Sequence, residues 1–491
     1  MLKTQGILKK QLNTFTENLK KLCTSKLFMI YLALMVLISF ALFFEETVLV
    51  LFVVVAVLAY VLSFSEVVGI LLFLYPFNSV FIFKNINFYF GLFSFTIFIL
   101  SLKYLVEVIQ KKKTFDWFFV AVVVAYLIFL ILPIRETADG KLKTGCDIIN
   151  LCSVLAFFVM LYLVYKYKEE INFVKCLHLF LVGFLIAGCL GWFAYCSARL
   201  QNVMSLIIYH GIDLIRYNGL FKVPNTLAIV GVFASSSVFY LQYKGKIGNV
   251  GYVYNTLIFA ICYITLARSF LYAYLGGLVL FIIAEIIKEK KNSWKIILPE
   301  VAGVLFVALV LFMYTKAHFG RVTVDDLVNG YNNSVDAEDI TAIADPGRGG
   351  LTKIYVKDFL SSILVVLFGR GISAPWIGGT SKLSSHNTYL QCFWNTGVIG
   401  VVLFVAVMLI IIKKYSALNW KSLIKSVFTD FGNYILILPI LALMLIENLF
   451  MNMQMIIAVM LVVFAICAVK IIIKNNDKIE EKTNETEKIE Q

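Results

Sequence analysis

Charge is scarce in this chain. Asp, Glu, Lys and Arg make up 15% of its 491 residues, against 61% hydrophobic residues. Apolar runs of roughly 16 to 25 residues recur almost from end to end, and in lipid each unpaired backbone amide costs several kcal/mol, so such runs must be helices. The nine cysteines stand singly, at Cys23, Cys146, Cys152, Cys176, Cys189, Cys196, Cys262, Cys392 and Cys467. They lack the paired spacing of a metal site or a disulfide framework. No small-residue cleavage site follows the first apolar run, which Lys3, Lys9, Lys10, Lys20, Lys21 and Lys26 precede and a second run follows almost at once. It reads as a retained span and not as a signal peptide. There is no internal repeat and no midplane charge cluster, the nearest case being Lys103, toward the end of a run.

What is present implies an all-α polytopic integral membrane protein with about 14 transmembrane helices, in a range of roughly 12 to 14. The spans are expected at about 27 to 44, 47 to 63, 67 to 83, 88 to 108, 116 to 133, 149 to 165, 173 to 196, 224 to 242, 252 to 267, 268 to 287, 295 to 314, 388 to 412, 431 to 449 and 451 to 473. The least marked breaks are those at Phe64 to Glu66 and at Arg268. With the amino terminus in the cytoplasm, Lys111 to Lys113, Lys166, Lys168, Lys244, Lys246, Lys288 to Lys291, Lys413, Lys414, Lys421 and Lys425 all fall inside. The positive-inside rule is then obeyed at almost every loop. The chain divides into a basic cytoplasmic segment 1–26, a transmembrane bundle 27–314 with an outward loop 197–223, a large extracytoplasmic loop 315–387, C-terminal spans 388–473 and a disordered cytoplasmic tail 474–491. The net charge of +13 is no nucleic-acid signal. Topology and attraction to anionic inner-leaflet lipid account for the lysines.

Arginine is rarer than lysine and placed differently. All seven, Arg135, Arg199, Arg216, Arg268, Arg321, Arg348 and Arg370, fall in outward segments. An AT-rich genome explains their scarcity but not their position. A planar guanidinium grips phosphate with two parallel hydrogen bonds, whereas lysine is a point charge, so arginines on one face suggest a site for anionic groups. The outward loop 197–223 carries Arg199, His210, Asp213, Arg216 and Lys222. The larger loop opens with an acidic stretch, Asp325 to Asp345, whose spacing matches no calcium loop. After Pro346-Gly347-Arg348-Gly349-Gly350 it turns apolar, with Lys353, Lys357 and Ser361 on one side and Tyr355, Phe359, Ile363 and Val366 roughly opposite. That pattern predicts an interfacial helix over the outer mouth with Arg348 and Arg370 near its ends. The alternative is one more complete span.

Ser385-His386-Asn387-Thr388-Tyr389-Leu390 stands where this loop re-enters the membrane. A histidine at the mouth of a span is suited to proton chemistry at the water boundary. The plainer reading is a helix start, with Ser385 or Asn387 as its cap. Arg268 could likewise be a hairpin residue snorkelling to the headgroups, Arg348 a solvated loop charge, and Glu447 with Asn448 a structural pair at the end of a span.

Taken together, the Ala267-Arg268-Ser269 step, Arg348 after its turn, Gly369-Arg370-Gly371 and the stretch HNTYLQCFWNTGVIG from His386 to Gly400 resemble the O-antigen ligase and polymerase superfamily. The likeness covers about 215 to 400. It implies a glycosyltransferase of the outer membrane face that takes a polyprenyl-diphosphate-linked saccharide donor and transfers the glycan to a hydroxyl acceptor, without metal or cofactor. By the same likeness His386 is catalytic, Arg268, Arg348 and Arg216 bind the diphosphate, and Asn387, Tyr389 and Arg370 support the site. One departure is Asn395, where many family members have glutamate.

The chemistry is compatible with that assignment. A sugar diphosphate is already activated, so the protein must align the acceptor, take its proton and stabilise the departing diphosphate. Displacement in one step inverts the anomeric carbon. The polymerase branch, making capsule, exopolysaccharide or O-antigen, is favoured over the ligase branch because lysine-rich, arginine-poor loops fit an AT-rich Gram-positive bacterium, where lipid A core is absent. Its partners would be the lipid-linked donor, a glycan hydroxyl, the bilayer of the cytoplasmic membrane and a regulator of chain length. The rivals are a flippase for lipid-linked oligosaccharide, expected to show repeats and a midplane site, and the cell-wall glycan polymerases, whose outward catalytic aspartate has no motif here.

Overall fold

The computed structural model describes residues 26–41, 44, 46–83, 86–110, 112–136, 142–167, 169–196, 208–210, 215–217, 219–221, 224–265, 267–289, 293–319, 348–372, 387–416 and 431–445. Among them are fifteen α-helices and three short antiparallel hairpins. The helices are α1 (Lys26–Ala41), α2 (Thr47–Val61), α3 (Phe64–Leu74), α4 (Phe88–Ile109), α5 (Trp117–Ile131), α6 (Ile148–Lys166), α7 (Phe173–Cys196), α8 (Pro224–Tyr243), α9 (Val250–Tyr263), α10 (Arg268–Glu289), α11 (Trp294–Phe319), α12 (Arg348–Phe359), α13 (Ile363–Phe368), α14 (Thr388–Ser416) and α15 (Leu438–Leu443). The hairpins pair β1 (Ile82–Phe83) with β2 (Ile86–Asn87), β3 (Arg135–Glu136) with β4 (Leu142–Lys143), and β5 (Ile208–His210) with β6 (Ile215–Tyr217).

Six of these helices are long and apolar enough to cross a membrane by length and composition, and several shorter ones are equally apolar. On α11, Leu298, Leu305, Phe306, Leu309 and Met313 are all exposed. Such a row is costly against water and costs nothing against lipid. The chain is therefore a multi-pass membrane protein by its helices. Helix α8 lies at the centre, its apolar stretch 89% buried, packed by α7, α9 and α10. Small residues allow that crowding: the Ser235 and Ser237 hydroxyls donate back to the Val232 and Phe233 carbonyls, so they enter the core with their hydrogen bonds made.

Both of the faint sequence breaks are real helix boundaries. Ser63 starts α3 with a capping box, its Oγ accepting from the Glu66 amide while its own amide donates to the Glu66 carboxylate. The turn Ile264–Thr265 separates α9 from α10, and the Thr265 hydroxyl donates to the Cys262 carbonyl at 2.6 Å. Three expected spans differ. The run at 67 to 83 is helical only to Leu74 and then tightens into a 3-10 segment, Tyr75–Phe81, at Pro76, which has no amide to continue the ladder. The run at 431 to 449 is a 3-10 turn, Phe431–Leu436, followed by the six-residue α15, which has Pro439 near its start. Helix α11 continues past 314 to Phe319. The span at 451 to 473, the acidic stretch and the tail lie outside the described residues.

The expected interfacial helix is two helices. The chain breaks at Leu360 to Ser362, where Ser362 caps α13. Helix α12 turns Tyr355 onto Trp394 of α14, ring centroids 5.0 Å apart, and leaves Lys353 and Lys357 exposed.

Candidate functional site

The structure joins two of the expected arginine positions through their backbones. In the β5–β6 hairpin Arg216 stands opposite Tyr209, and the next residue, Tyr217, is fully buried. The Tyr217 hydroxyl donates to the Gly188 carbonyl at 2.8 Å, and its amide donates to the Ile264 carbonyl at 3.4 Å. Gly191 makes room, since a Cβ there would stand 2.6 Å from that hydroxyl. The hairpin is thereby tied to the turn before Arg268, the first residue of α10. Arg348 is likewise the first residue of its helix, α12. A helix N-terminus presents unpaired amides and a partial positive charge, a field that favours anions.

The motif helix α14 is fixed at two levels. At its start the Asn387 side chain accepts from the Leu390 amide at 2.9 Å and is the N-cap. The Thr388 amide donates to the Met444 carbonyl at 2.8 Å and the Tyr389 hydroxyl to the Leu441 carbonyl at 3.3 Å, docking the helix start on the end of α15. Helix α15 in turn packs on α8 and α10, the helix that Arg268 begins. About two turns further along, the Gly369-Arg370-Gly371 step crosses α14. The Arg370 and Gly371 amides donate to the Trp394 and Asn395 carbonyls, each at 2.8 Å. Those carbonyls are free for this because α14 kinks at Gly397, whose φ of 66° and ψ of 179° break the helical ladder.

Asn395, the residue that departs from the family pattern, is nearly buried and does structural work. Its side-chain oxygen accepts from the Gln391 side-chain Nε2 at 2.6 Å, and its side-chain nitrogen donates to the Ile372 carbonyl at 3.4 Å. Arg370 is engaged too, its guanidinium held by Asp358 at 2.8 Å. The sequence did not signal that pair, which depends on the break at Leu360 to Ser362 folding α13 back. His386 lies outside the described residues, one position before the Asn387 cap.

Sequence reasoning counted Arg135 among the outward arginines but gave it no role of its own. It is wholly buried at the first position of β3, with Nη1 donating to the Leu132 carbonyl at 3.0 Å and its guanidinium 4.6 Å from the Phe129 ring centroid. Burial pulls its pKa down to about 10, which leaves it charged at neutral pH. A second buried polar group joins Glu300 of α11 to Asn255 of α9 and Gln242 of α8. No protein-family model and no curated protein matches the chain.

Proposed function

We propose that the protein is a membrane glycosyltransferase that polymerises polyprenyl-diphosphate-linked oligosaccharide units into surface polysaccharide on the outer face of a bacterial cytoplasmic membrane. Its spans number about fourteen in this reading, both termini are cytoplasmic, and His386 takes the acceptor proton. Arg268, Arg348 and Arg216 hold the diphosphate as it leaves.

The observation that carries the reading is the anchoring of the helix start behind His386. Asn387 supplies the cap, so the histidine is not needed to close the helix, and Thr388 and Tyr389 fix the start against the end of α15. A proton acceptor must be held within about 0.5 Å of its working position, which requires a rigid element behind it. Arg268 and Arg348 stand at helix starts, and a helix N-terminus favours the charge that a leaving diphosphate gains.

The test is product length. Purified protein is given a lipid-diphosphate oligosaccharide as donor and acceptor, beside His386→Ala, and the products are run on a gel. A ladder that the variant lacks is expected, at a loss on the order of 10² to 10⁴ in rate. No ladder, with transport of the same lipid across vesicles retained by the variant, would overturn the reading in favour of a flippase.

A further inference from the structure

Two arginines in this protein present the same edge of the guanidinium to different surroundings. Arg370 uses Nε and Nη2, the two donors on one edge, to hold both oxygens of Asp358. Arg135 uses only Nη1, which donates to the carbonyls of Leu130 and Leu132 at the end of α5. Its Nε and Nη2 are buried and have no hydrogen-bond partner among the described residues.

The flat face of the Arg135 guanidinium is covered by a peptide, while its buried Nε–Nη2 edge is unpaired among the described residues. A Cβ built on Gly145 would lie 2.1, 2.3 and 2.4 Å from Nε, Cζ and Cδ. Nearly equal distances put that position over the plane, so glycine at 145 lets the peptide lie on the guanidinium. The Gly145 carbonyl accepts from the Ile372 amide, and Gly371 approaches it so closely that a Cβ there would stand 2.7 Å from the same oxygen. Ile372 is thereby held beside the peptide that covers Arg135. A buried guanidinium with an empty two-donor edge is costly unless an anion completes it, and that edge matches two oxygens of a carboxylate or phosphate.

We propose that Arg135 is the core of an oxyanion site for a phosphate-class ligand, closed by Gly145 and Gly371. That the ligand is the donor's diphosphate rests on the glycosyltransferase reading; the site itself does not. Lysine cannot replace this arginine, because a single ammonium supplies charge but not the paired edge.

The experiment uses the full chain in phosphatidylcholine nanodiscs, titrated with inorganic pyrophosphate and followed by thermal shift, with Arg135→Lys and, at an exposed lysine of α12, Lys357→Gln alongside. A parallel sample in phosphatidylglycerol nanodiscs is examined by native mass spectrometry for retained lipid. Pyrophosphate binding weakened at least tenfold by Arg135→Lys and unchanged by Lys357→Gln is the expected result. Retention of phosphatidylglycerol that depends on Arg135, without pyrophosphate binding, assigns the site to a lipid headgroup phosphate. Equal binding by wild type and Arg135→Lys, or binding of neither ligand by the wild type, overturns the proposal. Should Arg135→Lys fail to fold, Arg135→Gln, which keeps an amide for the Leu132 carbonyl, carries the comparison. Arg135-dependent pyrophosphate binding in a protein that makes no ladder leaves the site standing and sinks the polymerase reading alone.

Discussion

Arg370 holds Asp358 edge-on, Nε donating to one carboxylate oxygen at 3.1 Å and Nη2 to the other at 2.8 Å. Trp394 adds a third bond, its indole donating to Asp358 at 2.7 Å. One carboxylate thereby ties α12, the Gly369-Arg370-Gly371 step and α14 together, so an arginine expected to assist anion binding is a fastener between α12 and α14.

Removing that carboxylate should therefore loosen the loop. Asp358→Ala is expected to lower stability by about 1 to 3 kcal/mol, because it leaves a guanidinium and an indole N–H without their acceptor. Arg370→Lys should cost less, since an ammonium can still meet one oxygen. Thermal unfolding in detergent or nanodiscs checks both, and equal melting temperatures for Asp358→Ala and wild type would refute the account.

The kink in α14 gives a second test. At Gly397 a side chain would meet a positive φ and the Leu367 carbonyl oxygen 2.3 Å away, and at Gly369 it would meet the backbone of Asn395. Gly397→Ala is expected to cost about 3 kcal/mol or more, through strain and through displacement of α13. Gly276, inside α10, has nothing within 4 Å of an added Cβ. Gly276→Ala should be neutral or stabilising by up to about 1 kcal/mol. Comparable melting temperatures for the two variants would show that the kink is not needed.

Capping at the motif helix supplies a third. Asn387→Ala should cost about 1 kcal/mol and Asn387→Ser much less, because serine keeps an acceptor for the helix amides. If His386 relies on this helix start, Asn387→Ala should also slow chain extension while Asn387→Ser does not. A pair of variants with the same rate would separate the cap from the chemistry.

Helix positions were legible in the sequence because lipid imposes a simple condition: every amide must be paired inside its own segment. Runs such as 173 to 196 therefore read directly as helices, and α7 has those same bounds. The run at 431 to 449 did not, since Ile435, Leu436, Ile440 and Leu443 pack inside the protein, where a 3-10 turn and a short helix serve as well. Charge was legible only by type and side. Nothing in a list of seven arginines says that Arg370 meets Asp358 or that Arg135 is buried with an open edge, as both depend on where loops return. The backbone tie between Tyr217 and Ile264, which brings the Arg216 and Arg268 segments together, is similarly a product of tertiary packing.

The last prediction concerns Glu300, a carboxylate 2% exposed within a mostly apolar helix. Its oxygens accept from the side-chain amides of Asn255 and Gln242, and the Asn255 amide also donates to the Tyr274 hydroxyl at 2.8 Å. A carboxylate so placed in a membrane protein is either a hydrogen-bond acceptor that joins α8, α9 and α11 or an ion-carrying group. The two roles respond differently to substitution. As a joint, Glu300→Gln keeps an acceptor and should leave the polysaccharide ladder unchanged, whereas Glu300→Leu strands two buried amides at about 1 to 3 kcal/mol each. As an ion carrier, Glu300→Gln should abolish function in a protein of unaltered melting temperature. The polymerase reading requires the first pattern, because transfer from an activated donor needs no ion gradient, and a folded Glu300→Gln variant that makes no ladder would count against it.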